Sequence, residues 1–313
     1  MYILSGDIVS FTSIVKNELS KLELDEIESI SFLSAIFKNS ADIKDTSIKI
    51  STENSSVARN IFNIIKKMYN INLKITVRRG YNYNKNYIYI LETKQKVKKI
   101  IDDLSLNSNI PSTYMVDDDV LIRTYLRGLF ISCGSINDPK KSRYHLEFIV
   151  NNLEYANFIK DKLNIYYLNS KILRRDNRYM IYIKEAEKIG DFLRMINAIQ
   201  ALLYYEDIRI YRDHKNMTNR LNNCEQANVD KIISTSQSQI NDIKLIESES
   251  LDLLDEKTRQ AAQYRLKYPD ASLLELSEII SMETGSKITK PGLHHRFNKI
   301  KDLANRIRNK EQI

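Results

Sequence analysis

The feature that most constrains this chain is a repeat of its own sequence. Leu33–Ala41, LSAIFKNSA, lies over Leu126–Gly134, LRGLFISCG. Apolar residues match at the first, fourth and fifth places, and small residues at the third and ninth. Three further blocks follow in the same order. VARNIFNIIKKMYNI from Val57 parallels EYANFIKDKLNIY from Glu154, and NYIYILE ending at Glu92 parallels YMIYIKE ending at Glu185. Helically spaced Val97, Ile100, Ile101 and Leu104 then parallel Ile189, Phe192, Leu193 and Ile196. Self-similarity of this kind marks a fold built from copies of one unit.

Each copy reads as helix, strand, helix, strand pair, helix. Period-two alternation marks the strands at Ile48 and Ile50, at Leu146 and Phe148, and at Ile88 and Ile90. Asp138-Pro139 predicts a turn between the second motif helix and its strand. The polar, Pro111-containing stretch 106–119 joins the copies. The expected fold class is α+β: a pseudo-twofold saddle in residues 1–205, with repeats at about 25–105 and 119–205. Ala35 and Asn39, and Gly128 and Ser132, lie four apart on one face of each motif helix, so the two backbones can approach closely. Taken singly, Gly128 is an ordinary helix glycine; the second copy gives it meaning.

This pattern resembles the LAGLIDADG homing-endonuclease fold in its two-repeat, single-chain form. The resemblance implies an acidic residue just before the last motif position of each helix, binding Mg²⁺. Here those positions hold Ser40 and Cys133. A metal clamp on a scissile phosphate needs hard oxygen ligands. Neither residue supplies a carboxylate, and Asp138, on the turn beyond, does not restore one. No catalytic residue, metal or cofactor is therefore expected. The competing reading is a metal-dependent LAGLIDADG nuclease or RNA maturase. Another is an RNA-binding protein, since 19 tyrosines could stack on bases.

Composition narrows the partner. A net charge of +8 favours a polyanion only modestly. Cys133 and Cys224 form no framework and no C-x-x-C motif, which fits buried thiols in a reducing compartment. No apolar run approaches a membrane span, and no basic residue precedes Lys16 as a signal peptide requires. A cytoplasmic, nucleoid-associated location without membrane contact is expected.

Residues 206–239 read as a linker or connecting helix. Asn216, Arg220 and Asn223 share one polar helical face. Arg212, Lys215 and Arg220 are expected either to be solvated or to touch phosphates or the neighbouring domain. The stretch STSQSQ, 234–239, reads as a hinge.

Residues 240–313 carry the sharpest local signal. Tyr268-Pro269 stops a helix that begins near Asp255. Ser272 and Glu275 form a capping box. The segment METGSKI turns the chain, and Thr289 caps the next helix with Pro291 in its first turn. Leu293, Phe297, Ile300, Ala304 and Ile307 make a buried stripe. Two helices about a glycine-containing turn, the second of them basic, make a helix-turn-helix. Eight basic residues between Lys287 and Lys310 face one acidic residue, Asp302. The DNA-binding set read here is Ser272, Thr289, Lys290, His294, His295, Arg296, Asn298, Lys299 and Arg306, with His295 and Asn298 opposite the stripe and Arg296 and Lys299 expected on phosphates. His294 and His295 point about 100° apart and lack a cysteine at finger spacing, which argues against a metal site.

At this point nearly the whole chain resembles one family. YLRGLFISCGSINDPKKSRYHLEF, YYEDIRIYRDHKNMTNRLNNCEQAN and RLKYPDASLLELSEI followed by ITKPGLHHRFNKIKDLA are similar to successive signatures of the WhiA family, as is SFTSIVKNELSKL near the start. That resemblance implies a degenerate LAGLIDADG domain joined to a helix-turn-helix. It implies a transcription regulator tied to cell division, chromosome segregation and, in spore formers, sporulation. Its partners would be promoter duplex DNA and RNA polymerase or another regulator. The family's usual SKSG is Thr289-Lys-Pro-Gly292 here, a departure that bears on the sequence recognised.

Overall fold

The computed structural model describes residues 10–79, 87–141, 143–249 and 254–310. The chain forms two compact units, Met1–Arg212 and Asp213–Ile313.

In the first unit, helix α1 (Phe11–Leu19) precedes the first motif helix, α2 (Glu26–Ser40). Strands β1 (Ala41–Lys44) and β2 (Ser47–Thr52) follow, then α3 (Ser55–Tyr69), β3 (Lys74–Arg79), β4 (Tyr87–Thr93) and α4 (Val97–Asp103). The second copy repeats this order: motif helix α5 (Asp119–Cys133), β5 (Gly134–Ile136), β6 (Leu146–Val150), α6 (Leu153–Ile165), β7 (Lys171–Arg175), β8 (Arg178–Ile183) and α7 (Ala186–Met195). Each copy holds a four-stranded antiparallel sheet of the same strand order, β1-β2-β4-β3 and β5-β6-β8-β7. Residue alternation along the strands puts Ile48, Ile50 and Leu91 of the first sheet, and Leu146, Phe148 and Ile181 of the second, into one shared core.

Both motif helices begin on an aspartate cap: Asp25 accepts from the Glu28 amide and Asp118 from the Leu121 amide. Both are buried on nearly every side, Phe32, Leu33 and Ile36 of α2 with Leu126, Leu129 and Phe130 of α5. Gly128 makes the close approach possible. A Cβ there would lie 2.4 Å from the Phe32 carbonyl oxygen and 3.1 Å from Ala35 Cβ. Buried hydroxyls of α2 bind it to the first turn of α5 and to the chain between the copies. Ser31 donates to the Met115 and Leu121 carbonyls, and Ser34 to that of Leu104.

The structure departs from the sequence reading in three places. Each motif helix is followed by a short strand, β1 or β5, that pairs with the next one; Asp138-Pro139 therefore turns β5 into β6. These strands start on the residue that ends the helix, so no turn signal separates them. The first part of METGSKI is still helical, and the chain turns at Gly285, whose φ of +67° is a left-handed conformation that glycine adopts without strain. The stretch 234–239 is no hinge. It lies inside α8, a continuous helix of 51 residues, Ile199–Glu249. Ser236 is buried and its hydroxyl donates to the Pro269 carbonyl, so the second unit holds this part of the helix.

The second unit packs the end of α8 with α9 (Glu256–Lys267), α10 (Leu273–Thr284) and α11 (Lys290–Lys310). Its core joins Ile243 and Ile246 to Ala261, Leu276, Ile280 and the α11 stripe Leu293, Phe297, Ile300 and Ala304.

Candidate nucleic-acid interface

The geometry of the second unit follows from its caps. Asp255 caps α9 by accepting from the Thr258 amide at 2.9 Å. Ser272 and Glu275 close a reciprocal box on α10, with the Ser272 amide donating to Glu275 Oε2 at 2.8 Å and the Glu275 amide to Ser272 Oγ at 3.2 Å. These bonds hold the carboxyls of Asp255 and Glu275 below the usual carboxylate range. Ser281 receives the Ile288 amide at 2.9 Å and so closes the turn from α10 into α11. The Thr289 hydroxyl accepts from the Gly292 amide at 3.3 Å at the start of α11. The oxygens of Ser272 and Thr289, read as DNA contacts from the sequence, thus serve their own helices.

Opposite its buried stripe, α11 exposes His294, His295, Asn298, Lys301, Asn305 and Arg306, and Lys290 is exposed at its start. Lys301 and Asn305 were not singled out in the sequence reading, although the helical period places both on the outward side. Asp302, also exposed, offsets one of the two cations Lys301 and Arg306 in the second half of this face. Two cations expected on phosphates have partners inside the unit. Arg296 Nη1 donates to the Lys257 carbonyl at 3.1 Å, and Lys299 Nζ pairs with Asp255 Oδ2 at 3.4 Å. Arg308, counted in the basic run, pairs with the buried carboxylate of Asp242 at 2.5 Å. The uncommitted charge on α11 is therefore smaller than the composition of the segment indicates: Lys290 at its start, and Lys301 and Arg306 beside Asp302 further along.

One group that sequence reasoning missed organises this unit. The Arg265 side chain is 1% exposed. Its guanidinium donates to Gln239 Oε1 of α8 at 3.0 Å and to the carbonyls of Tyr268, Pro269 and Ala271 at 3.3, 3.4 and 2.5 Å. It also lies 5.5 Å from the Phe297 ring centroid of α11. The available signal was its spacing: Arg265 continues the apolar face of Ala261 and Ala262 by a helical turn.

Of the earlier polar set on α8, Arg212 belongs to the first unit. Its Nη1 donates to the Pro139 and Lys141 carbonyls at 2.7 and 2.6 Å, and the guanidinium covers the Tyr144 ring at 4.5 Å. Lys215 and Arg220 are exposed.

At the ends of the motif helices, Ser40 and Cys133 are both half-buried. The Cys133 thiol donates to the Leu129 carbonyl at 3.5 Å, and burial pushes its pKa up to about 11. Cys133 is thus a neutral thiol near pH 7. Beside it, burial lowers the Lys16 ammonium to about 8, with Cys133 and Glu53 acting the other way. Tyr125 of α5 and Tyr155 of α6 are buried with their hydroxyls 2.8 Å apart, and Asn39 Nδ2 of α2 donates to the Tyr155 oxygen at 3.2 Å. A hydroxyl and a neutral thiol are poor ligands for Mg²⁺, which is held by carboxylate and water oxygens. The donor set does not fit the ion that this fold implies.

Three family models match successive parts of the chain: the WhiA N-terminal LAGLIDADG-like domain at residues 26–107, the WhiA LAGLIDADG-like domain at 122–215 and the WhiA C-terminal HTH domain at 218–304. The chain is 41% identical to a probable cell division protein WhiA of Staphylococcus aureus strain JH9, over 97% of its own length and 99% of the relative's. Among solved structures, full-length DUF199/WhiA from Thermatoga maritima matches 95% of this chain and 99% of its own, at 25% identity and a TM-score of 0.58. The N-terminal LAGLIDADG domain of DUF199/WhiA matches 62% of this chain and 93% of its own, at 26% identity and a TM-score of 0.49. Among the described residues no helix is long and apolar enough to cross a membrane. With the three family domains matched in order and 41% identity over 97% of its length to a WhiA relative, the chain belongs to the WhiA family.

Proposed function

We propose that this protein is a non-enzymatic, sequence-specific DNA-binding regulator of cell division and chromosome segregation, and of sporulation where spores form. It would read promoter duplex DNA with the first turns of α11 and act through RNA polymerase or another regulator. The observation that carries this reading is the pairing of a rigidly capped α10 and its glycine turn with an α11 whose outward face is polar, basic and uncommitted. In a helix-turn-helix, the N-terminal residues of the second helix meet base edges in the major groove. His295 and Asn298 would read bases there, while Lys290 and Arg306 would meet phosphates.

Each lost base contact costs ~1–3 kcal/mol on the specific site and little on random sequence. His295→Ala and Asn298→Ala are therefore expected to narrow the gap between target and scrambled duplexes. Lys290→Ala removes a phosphate contact, so it should weaken both duplexes alike and lower the salt slope by roughly one. Arg296→Ala and Lys299→Ala should lower the stability of the second unit as well, because each anchors α11 to the start of α9. Titration at two salt concentrations, against DNA recovered with the protein from cells, separates these effects. Unchanged affinity in all the variants would remove α11 as the reader.

The absence of enzymatic activity rests on the Ser40 and Cys133 donor set. Plasmid DNA incubated with the pure protein and Mg²⁺ or Mn²⁺ is expected to stay uncut. Reproducible cleavage abolished by EDTA would favour a LAGLIDADG nuclease instead.

A further inference from the structure

Lys16 has no part in duplex recognition as proposed above, yet its place is closely fixed. It lies in the last turn of α1, and α1 is held on two sides. On one side the Thr12 hydroxyl donates to the Ile136 carbonyl of β5 and accepts from the Ile136 amide, each at 2.9 Å. On the other, Asn54, the cap of α3, donates from Nδ2 to Ser13 Oγ at 3.3 Å and to Asn17 Oδ1 at 2.8 Å. Lys16, one turn beyond Thr12, is thereby brought to the last turn of α5. Its ammonium stands 5.9 Å from the Phe130 ring centroid. Cys133 follows Phe130 by three residues and shares its side of the helix. The thiol and the ammonium act on each other's titration, and Glu53 acts on that of the ammonium.

A cation at this place has an electrostatic meaning. The last turn of a helix carries unpaired carbonyls and the negative end of the helix dipole. Position 133 is also where the LAGLIDADG resemblance implies a carboxylate that binds Mg²⁺. Both features call for positive charge, and here the chain itself supplies it. A divalent ion beside an ammonium meets like-charge repulsion, which a site short of water screens only weakly. The end of α2 is filled by neutral groups: Asn39 Nδ2 donates to the Ala35 carbonyl at 2.8 Å as well as to the Tyr155 hydroxyl.

We propose that the Lys16 ammonium closes the end of α5 to divalent cations, so that the loss of metal chemistry rests on this lysine as well as on the missing carboxylates. A carboxylate restored at position 133 would pair with Lys16 in place of a metal ion. The non-enzymatic reading above is the ground on which this stands. Plasmid cleavage by the wild type would overturn that reading, whereas the outcomes below bear on Lys16 alone.

The test uses full-length chains carrying Ser40→Asp with Cys133→Asp, with Lys16 either kept or changed to Met. Mn²⁺ is added, and its approach is read from paramagnetic broadening of the Ala41 and Gly134 amide signals. With Lys16 kept, these amides are expected to broaden no more than in the wild type. With Lys16→Met, the same broadening should appear at about tenfold lower Mn²⁺, the factor that repulsion between a divalent and a monovalent cation about 6 Å apart sets even in water. Equal behaviour with and without Lys16 overturns the proposal. A second measurement needs no metal. Lys16→Met should lower the urea midpoint in the Cys133→Asp background, where it takes a partner from a carboxylate. Beside the native thiol it should leave the midpoint unchanged or raise it, because burial there already weighs against the ammonium. Equal shifts in the two backgrounds would mean that positions 16 and 133 do not meet, and would overturn the proposal. So would a Cys133→Asp chain that fails to fold with Lys16 in place. If the two carboxylates together prevent folding, Cys133→Asp alone carries both comparisons.

Discussion

Gly128→Ala is expected to unfold the first unit at markedly lower denaturant and temperature than the wild type. The new Cβ would lie 2.4 Å from a backbone oxygen, Phe32 O on the facing motif helix, and 3.1 Å from Ala35 Cβ. Neither can swing aside as a long side chain can, so α2 and α5 must move apart and loosen the layer of Leu33, Ile36, Leu129 and Phe130, all under 2% exposed. Alanine is the better helix former by about 1 kcal/mol, but forced overpacking of a close contact costs ~1–3 kcal/mol or more. With the backbone itself as the obstacle, the upper end is the fitting estimate, and a net loss of about 2 kcal/mol corresponds to roughly 4–8 °C for a unit of this size. Gly190→Ala is the internal control. Its Cβ would meet only Glu206 Oε1 at 2.4 Å, the movable end of a side chain, so its effect should be small. Urea unfolding of both variants decides the matter. If Gly128→Ala is as stable as Gly190→Ala, the motif-helix approach is looser than described.

The contrast between these two glycines shows what the sequence does and does not disclose. The repeat was legible because burial imposes periodicity, and the two copies bury the same positions. The core residues at Leu33, Phe37, Leu126, Leu129 and Phe130 follow directly from it. The short strands β1 and β5 were not legible. Three or four residues cannot display a period, and Ala41 and Gly134 end a helix and begin a strand at once. The polar stretch 234–239 looked like a hinge because serine and glutamine carry no apolar pattern. Its helix is fixed by a tertiary bond, from the Ser236 hydroxyl to the Pro269 carbonyl, which local composition does not encode. The same holds for the candidate interface on α11. Its outward residues came from the helical period, but the diversion of Arg296 and Lys299 to the Lys257 carbonyl and Asp255 depends on where α9 begins in space. Charge counted along a sequence overstates the charge free to meet a partner.

Arg265→Ala is expected to disable the second unit more completely than any substitution on its surface. The guanidinium is one of the largest fully buried side chains and satisfies four acceptors, on α8, at the end of α9 and in the turn into α10. Removing it takes a donor from four acceptors; Pro269 keeps the Ser236 hydroxyl and Tyr268 the Ala271 amide, so the Ala271 carbonyl and the Gln239 side-chain oxygen lose most, at ~1–3 kcal/mol for each group left without a partner, and a cavity opens against Phe297 of α11. Water will relieve part of this, so about 3–5 kcal/mol is a fitting range, comparable with breaking a buried charged network. Small domains are stable by only ~5–15 kcal/mol in total, so little would remain. Arg265→Lys keeps the charge but offers no planar fork, and one ammonium cannot span the same acceptors. It should fall between alanine and the wild type. Hydrogen exchange gives the local readout. Protection should collapse across α9, α10 and α11 while the amides of α2 and α5 stay protected, and duplex binding should fall with it. The arrangement also predicts how the two losses relate. Arg265 touches the α9–α10 turn and the inner side of α11 but not its outward face, so binding should recover in Arg265→Lys wherever protection of α11 recovers. Lost binding with α11 still protected would mean that Arg265 affects recognition by a route other than holding the helix in place.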